Sequence, residues 1–290
     1  MSSEGFTDLY WTAADGLVLH ARDYAPAHAS SKAPVICIHG LTRNARDFED
    51  LAPRIAATGR RVIAVDVRGR GLSARDPNPM NYQPPVYAGD MLALMAAEKI
   101  EQAVFVGTSM GGLITMVLAA IKPAAVAASV LNDVGPELSP VGLTRIGGYV
   151  GGGGPVVDWS DAARYAAMIN GVAFPDYAET DWDRFARRLF DEKDGALALA
   201  YDPDISAPFK VAPTGPAPDL WPLLKGLAAC GPLLLVRGEI SDLIDADIAA
   251  RMREAAPSMA YAEVPRVGHA PELTEPAAWA AIERLLAEAP

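Results

Sequence analysis

The stretch Ala103-Val104-Phe105-Val106-Gly107-Thr108-Ser109-Met110-Gly111-Gly112 runs from four apolar residues through a turn of small residues into an apolar segment that ends at Ile121. Four apolar residues closed by a glycine suit a buried strand, and the segment after Gly111 has the length of a helix. Between them the sequence reads G-x-S-x-G. A strand-to-helix turn this sharp lifts its serine above the sheet, and only small neighbours fit beside it. Ser109 is thus a candidate nucleophile; the plainer alternative is a tight turn whose serine caps the helix.

Residues 17–24, 35–38, 62–65, 128–131, 233–236 and 261–264 are further short apolar runs, several of them closed by Gly, Asn or Asp. Between most of them lie Ala-rich or amphipathic segments, 48–58, 87–98, 111–121, 245–255 and 277–287, the last with Thr274 and Pro276 as cap and first-turn signals. Strands apolar on both faces that alternate with helices predict an α/β protein with a mainly parallel central sheet and helices on both faces. Residues 135–222 break this rhythm with glycines at 147–148 and 151–154, helix-like pieces at 159–169 and 182–190, and a Pro-rich run over 203–222. They are expected to form a mostly helical insertion that divides the core into residues 1–134 and 223–290.

A serine hydroxyl needs a base, and the chain holds four histidines, His20, His28, His39 and His269. His20 lies in an early strand, His28 in a loop, and His39 at a strand end where a tight turn is expected. His269 alone follows Ser109. It stands just past a late strand, as the order serine, acid, histidine requires. The acid should be a carboxylate at a strand end between the two. Asp242, beyond the run 233–236, fits that description and is preferred; Asp133, beyond 128–131, is the alternative acid, and Glu239 and Asp245 share the loop of Asp242. A tetrahedral oxyanion needs backbone donors. Met110 N–H follows the nucleophile at a helix start, and Leu41 N–H in His39-Gly40-Leu41-Thr42 is placed to be the second oxyanion-hole donor.

Composition narrows the field. Of 290 residues 51% are hydrophobic and 21% charged, which excludes disorder as the main state. The net charge of −11 argues against nucleic acid and against an anionic membrane surface as partners. The longest apolar region, 110–131, is interrupted by Lys122-Pro123, so no membrane span is expected. Cys37 and Cys230 lie far apart and match no metal-ligand spacing, so neither a disulfide framework, a metal nor a cofactor is expected. Met1 to Phe6 contain no basic segment leading into an apolar run, hence no secretory leader is expected and the setting is read as cytoplasmic.

Three motifs together resemble the α/β-hydrolase fold superfamily of lid-bearing esterases, lactonases and C–C bond hydrolases. His39-Gly40-Leu41-Thr42 is similar to its oxyanion loop, Gly107 to Gly112 to its nucleophile elbow, and Gly268-His269-Ala270-Pro271 to its catalytic-histidine loop. Asp66-Val67-Arg68-Gly69-Arg70-Gly71-Leu72-Ser73 is similar to a structural turn of the family. Two positions depart from the pattern. Thr108 stands where many relatives carry His or Asn, and Ser241 stands where many place the acid, three residues after the loop glycine, with Asp242 one further on.

The resemblance implies that residues 135–222 form a helical cap over the active site, with Trp159, Tyr165, Phe174, Tyr177 and Trp182 as candidates to line a substrate pocket. It implies a serine hydrolase of a small-to-medium, largely uncharged ester or lactone, a small molecule being the only partner expected. The alternatives are a C–C bond hydrolase using the same triad, for which Arg43 and Arg68 were the basic residues to weigh as carboxylate holders, and a non-catalytic ligand-binding protein on the same fold. Relatives that open epoxides or remove halides carry Asp at the elbow, which Ser109 argues against.

Overall fold

In the computed structural model, residues 5–28, 30–152, 156–211 and 218–290 are described. Gly153 and Gly154 of the glycine tract, residues 212–217 of the Pro-rich run and residues 1–4 lie outside them. β1 (Thr7–Thr12) and β2 (Val18–Tyr24) form an antiparallel hairpin, followed by β3 (Val35–Ile38), α1 (Leu51–Ala57), β4 (Val62–Asp66), α2 (Pro84–Ala97), β5 (Ala103–Thr108), α3 (Met110–Ile121) and β6 (Val126–Asn132). The next segment holds α4 (Pro140–Gly147), α5 (Trp159–Asn170), α6 (Glu179–Leu189), the hairpin β7 (Phe190–Lys193) with β8 (Ala196–Leu199), and the single turn α7 (Ala207–Lys210). α8 (Trp221–Ala228), β9 (Leu233–Gly238), α9 (Ala246–Ala255), β10 (Ala260–Val264) and α10 (Pro276–Glu288) complete the chain.

The sheet has eight strands in the order β1-β2-β4-β3-β5-β6-β9-β10. All neighbours from β4 to β10 run parallel, as the apolar runs predicted. Alternation within each strand feeds two cores. Ile36, Ile38, Phe105 and Leu235 point to the side packed by α2, α3, α8 and α9, while Cys37, Val104, Val106 and Val236 point to the side packed by α1 and α10. A third cluster, around Ala166, Phe174, Phe185 and Leu189, lies within the inserted segment.

Several elements differ from the sequence reading. β1 was not anticipated, because Trp11 is its one buried residue and an edge strand so exposed shows no apolar run. The segment between β6 and α8 also contains α4 and the hairpin β7–β8. α8 begins at Trp221, within the Pro-rich run, and buries Leu224 and Leu227 against α3. The last helix starts at Pro276 with Glu275 in the cap position and no side-chain cap, so Thr274 does not serve as one. Among the described residues, no helix is long and apolar enough to cross a membrane.

Candidate active site

Strand register sets the site. Ile38 pairs with Gly107, Thr108 with Asn132, and Gly238 with Val264, so the chain leaves β3, β5, β6, β9 and β10 at one edge of the sheet. In open α/β sheets that carboxyl edge is where ligands bind. Ser109 sits between β5 and α3 with φ 52° and ψ −115°, a conformation that L-residues adopt at a cost. Its neighbours must be glycine. A Cβ on Gly107 would lie 2.5 Å from the Gly111 carbonyl carbon, and one on Gly111 would lie 2.0 Å from the Ile38 carbonyl oxygen. Ser109 N–H donates to the Asn132 carbonyl (2.9 Å), which anchors the turn to β6.

Ser109 Oγ lies 2.9 Å from His269 Nε2, and His269 Nδ1 lies 2.8 Å from Asp133 Oδ2. The histidine thus faces Asp133, not the preferred Asp242. Asp133 follows directly on β6, is fully buried, and has φ 53°, which turns it from the strand axis toward His269. Asp242 turns away instead. Its carboxylate is held by Arg145 of α4 (2.5 Å to Nε, 2.8 Å to Nη2), and that guanidinium keeps its pKa below the usual carboxylate range. Glu239 accepts the Arg266 N–H and Asp245 caps α9, so neither is the partner of His269. Ser241, missed as a site residue, donates its hydroxyl to Asp133 Oδ2 at 2.5 Å. Asn132 was missed as well. Its Nδ2 donates to Thr108 Oγ1 (3.0 Å) and to the Pro271 carbonyl (2.8 Å), joining the residue before the nucleophile to the histidine loop.

The loop after β3 is fixed by its own histidine. Val67 N–H donates to His39 Nε2 (3.0 Å), so the ring proton is on Nδ1, which donates to the Gly40 carbonyl (2.7 Å). Arg43 N–H donates to the same oxygen (3.2 Å). In a planar trans peptide the N–H points opposite to the C=O, so these bonds fix the direction of Leu41 N–H. Burial pushes the His39 pKa down to about 4, consistent with a neutral structural ring. Arg70, buried against Tyr82 and Tyr87, donates to the Leu41 carbonyl (3.0 Å) and reaches Met110 Sδ (3.7 Å). Arg70 belongs to the motif Asp66 to Ser73, which is the signal in the sequence that points to it. Met110 opens α3, where a first-turn N–H has no partner inside its helix.

Ser109, His269, Gly40 and Leu41 line a cavity of about 90 Å³ whose far wall comes from the inserted segment. Of the five aromatic candidates, Phe174 lines it. Tyr177 and Trp182 pack with Phe174 and Phe185 in the inserted segment's own cluster, Trp159 carries Arg187 on its face, and Tyr165 packs edge-on against Phe190 over a different hollow. The wall is instead completed by Ile146, Tyr149, Ile169, Phe185 and Leu189, four of them helix residues whose inward face a one-dimensional pattern does not reveal. Its cations are matched. Arg43 holds Asp47 through Nε and Nη2 under the Phe185 ring, its buried Nη1 having no acceptor, and Arg188 meets Glu49, Asp50 and Glu272. Arg68 lies outside the wall, buried among Asp15, Asp76 and Asp90. No group of three or more His, Cys, Asp or Glu placed to hold a metal occurs among the described residues.

Comparison with known proteins bears on the fold. A crystal structure of an alpha/beta hydrolase from Novosphingobium aromaticivorans DSM 12444 superposes with a TM-score of 0.90 at 49% identity, covering 98% of this chain and 99% of that one. A 3-hydroxybutyrate-oligomer hydrolase of Cupriavidus necator is 35% identical over 84% of both chains. A 2-(acetamidomethylene)succinate hydrolase of Mesorhizobium japonicum is 28% identical over 83% of this chain and 84% of its own. Residues 33–276, which include every strand from β3 onward and all the loops that build the cavity, match the family described as alpha/beta hydrolase fold, and to that family this chain belongs.

Proposed function

We propose that this protein is a serine hydrolase that cleaves a small-to-medium, largely uncharged carboxylic ester or lactone through an acyl-enzyme on Ser109. The observation that carries the reading is the unbroken hydrogen-bonded line Ser109 Oγ, His269, Asp133 at the floor of the cavity. In it, Ser109 Oγ attacks the ester carbonyl while His269 Nε2 takes the hydroxyl proton. Asp133 holds the Nδ1 tautomer and stabilises the imidazolium. Leu41 N–H and Met110 N–H receive the oxyanion. Collapse of the tetrahedral intermediate breaks the bond to the alkoxy oxygen, which leaves with the proton from His269. Water, deprotonated by the same histidine, then releases the acid and regenerates Ser109.

Three features support the substrate class. The cavity is small, which suits an acyl group of a few carbons. The charges of its wall are already matched by ion pairs, which suits an uncharged substrate and ranks C–C cleavage of a carboxylate-bearing compound behind ester hydrolysis. The similarity to a 3-hydroxybutyrate-oligomer hydrolase makes short hydroxyacyl esters the natural compounds to include. In the same proposal residues 135–222 act as the lid, and two unpaired cysteines fit a reducing, cytoplasmic setting. The test is hydrolysis of nitrophenyl esters from acetate to octanoate, with a 3-hydroxybutyrate ester beside them, by wild type and by Ser109→Ala. Turnover favouring the short acyl chains and lost in Ser109→Ala is expected. A folded wild type that cleaves none of them overturns the ester reading.

A further inference from the structure

The hydroxyl of Ser241 has no freedom left. Its oxygen accepts the N–H groups of Leu243 and Ile244, both at 3.2 Å, and a serine oxygen accepts two such bonds. Its single proton therefore goes to the one acceptor within reach, Asp133 Oδ2, at 2.5 Å. That same Oδ2 takes the His269 Nδ1–H at 2.8 Å, while Oδ1 takes the Gly238 N–H at 3.0 Å. The turn that carries Ser241 is also tied to the histidine loop, Ile240 N–H donating to the Val267 carbonyl at 3.1 Å. One hydroxyl thus shares an oxygen with the imidazole and spans the ends of β6 and β9.

We propose that Ser241 is a positioning residue of the reaction: its hydroxyl aims Asp133 Oδ2 at His269 and competes with the imidazole for that oxygen. This rests on the reading of Ser109, His269 and Asp133 as the reacting line. A second donor draws charge from the carboxylate, so Oδ2 stabilises the imidazolium less than it would alone. Of the charged groups on the elements beside His269, Asp242 is held by Arg145 of α4, Glu272 of the histidine loop by Arg188 of α6, Arg43 by Asp47 in the loop after β3, and Arg237 of β9 by Glu263 of β10, while Glu275 of the histidine loop accepts the Glu272 N–H and keeps its other oxygen buried without a partner. None of these pairs includes Ser241, but its oxygen also takes the Leu243 and Ile244 N–H groups, so Ser241→Thr, which keeps the hydroxyl, is the control for the turn beside Asp242.

The experiment is the pH profile of kcat/KM on a short nitrophenyl ester for wild type, Ser241→Ala and Ser241→Thr. In Ser241→Ala the acid limb moves to higher pH by about half a unit or more, while Ser241→Thr, which keeps the hydroxyl, returns it toward wild type. A limb that stays put in Ser241→Ala, whatever its plateau rate, overturns the proposal, because a merely structural serine lowers the plateau without moving the limb. Should Ser241→Ala not fold, the geometry offers a second route. Ser241 Oγ is one hydrogen bond from Oδ2, and an aspartate there is one atom longer. Ser241→Asp placed in Asp133→Asn must then raise kcat/KM at least about tenfold over Asp133→Asn alone, and no gain refutes the placement. If wild type itself shows no Ser109-dependent turnover, the underlying reading has failed instead.

Discussion

At the scale of single residues, the two carboxylates near the histidine part company over one bond each. Asp133 accepts from His269, and Asp242 accepts from Arg145. Asp133→Asn should leave His269 in the wrong tautomer and cost roughly 10³–10⁴ in kcat, whereas Asp242→Asn loses a partly buried ion pair that does not touch His269 and should change kcat by no more than about fivefold. Assays of the two variants side by side settle which acid serves. A second residue prediction concerns His39. Its folded pKa is about 4 against an ordinary 6.5, so as pH falls through that interval the unfolded chain takes up a proton that the native one refuses. His39 should thus withdraw about 3 kcal/mol of stability between pH 6.5 and 4. His39→Asn, which keeps a donor for the Gly40 carbonyl but does not titrate, should show a shallower loss in urea midpoints compared at pH 7 and pH 4.5. His20 works the other way, since the buried pair with Asp66 and the bond to Asp8 raise its pKa and favour the fold below 6.5, but it is common to both proteins. Ser109 and His269 were legible because a turn of glycines and a late strand end leave few places for them. The acid was not, because two strand ends offer an aspartate, and φ at Asp133, the serine at 241 and the hold of Arg145 on Asp242 separate them.

At the scale of elements, α6 is latched to the core by Arg188, with Arg184 of the same helix reaching Asp50 and Glu272 at 3.5 Å beside it. Arg188 is 3% exposed and meets Glu49 and Asp50, on the approach to α1, and Glu272, three residues past His269. Arg188→Met leaves these carboxylates only the longer contacts of Arg184 and Arg22, and because Glu49 and Asp50 keep partial access to water the loss should be about 2 kcal/mol, less than for a fully buried pair. A drop of that size in the urea-unfolding free energy, with KM rising more than kcat falls, is the expected signature of a wall loosened beside the substrate. Gly111→Ala should be harsher still, since the new methyl meets the Ile38 carbonyl and α3 cannot back away from β3 without carrying Ser109 with it. The parallel strands were readable because burial on both faces leaves unbroken apolar runs. β1 and the hairpin β7–β8 were not, because exposed faces of short strands carry the residues of loops.

At the scale of the whole molecule, the sequence places its chemistry in loops that share no segment of chain: residues near 40, 109, 133 and 269 converge only because the parallel register brings their strands to one edge. The order of motifs along the chain therefore foretold the fold, while the cavity wall, built by helices packing against one another, could not be read before they were packed. The proposed ester carries no charge for the net −11 of the chain to act on, so raising the ionic strength should change kcat/KM by less than about twofold. The central claim is that Ser109 becomes acylated. Rapid-quench mass spectrometry of the wild type mixed with nitrophenyl butyrate should find one butyryl group on the peptide that contains Ser109, and none in Ser109→Ala. Steady hydrolysis with no adduct on that peptide, undiminished in Ser109→Ala, would contradict the account.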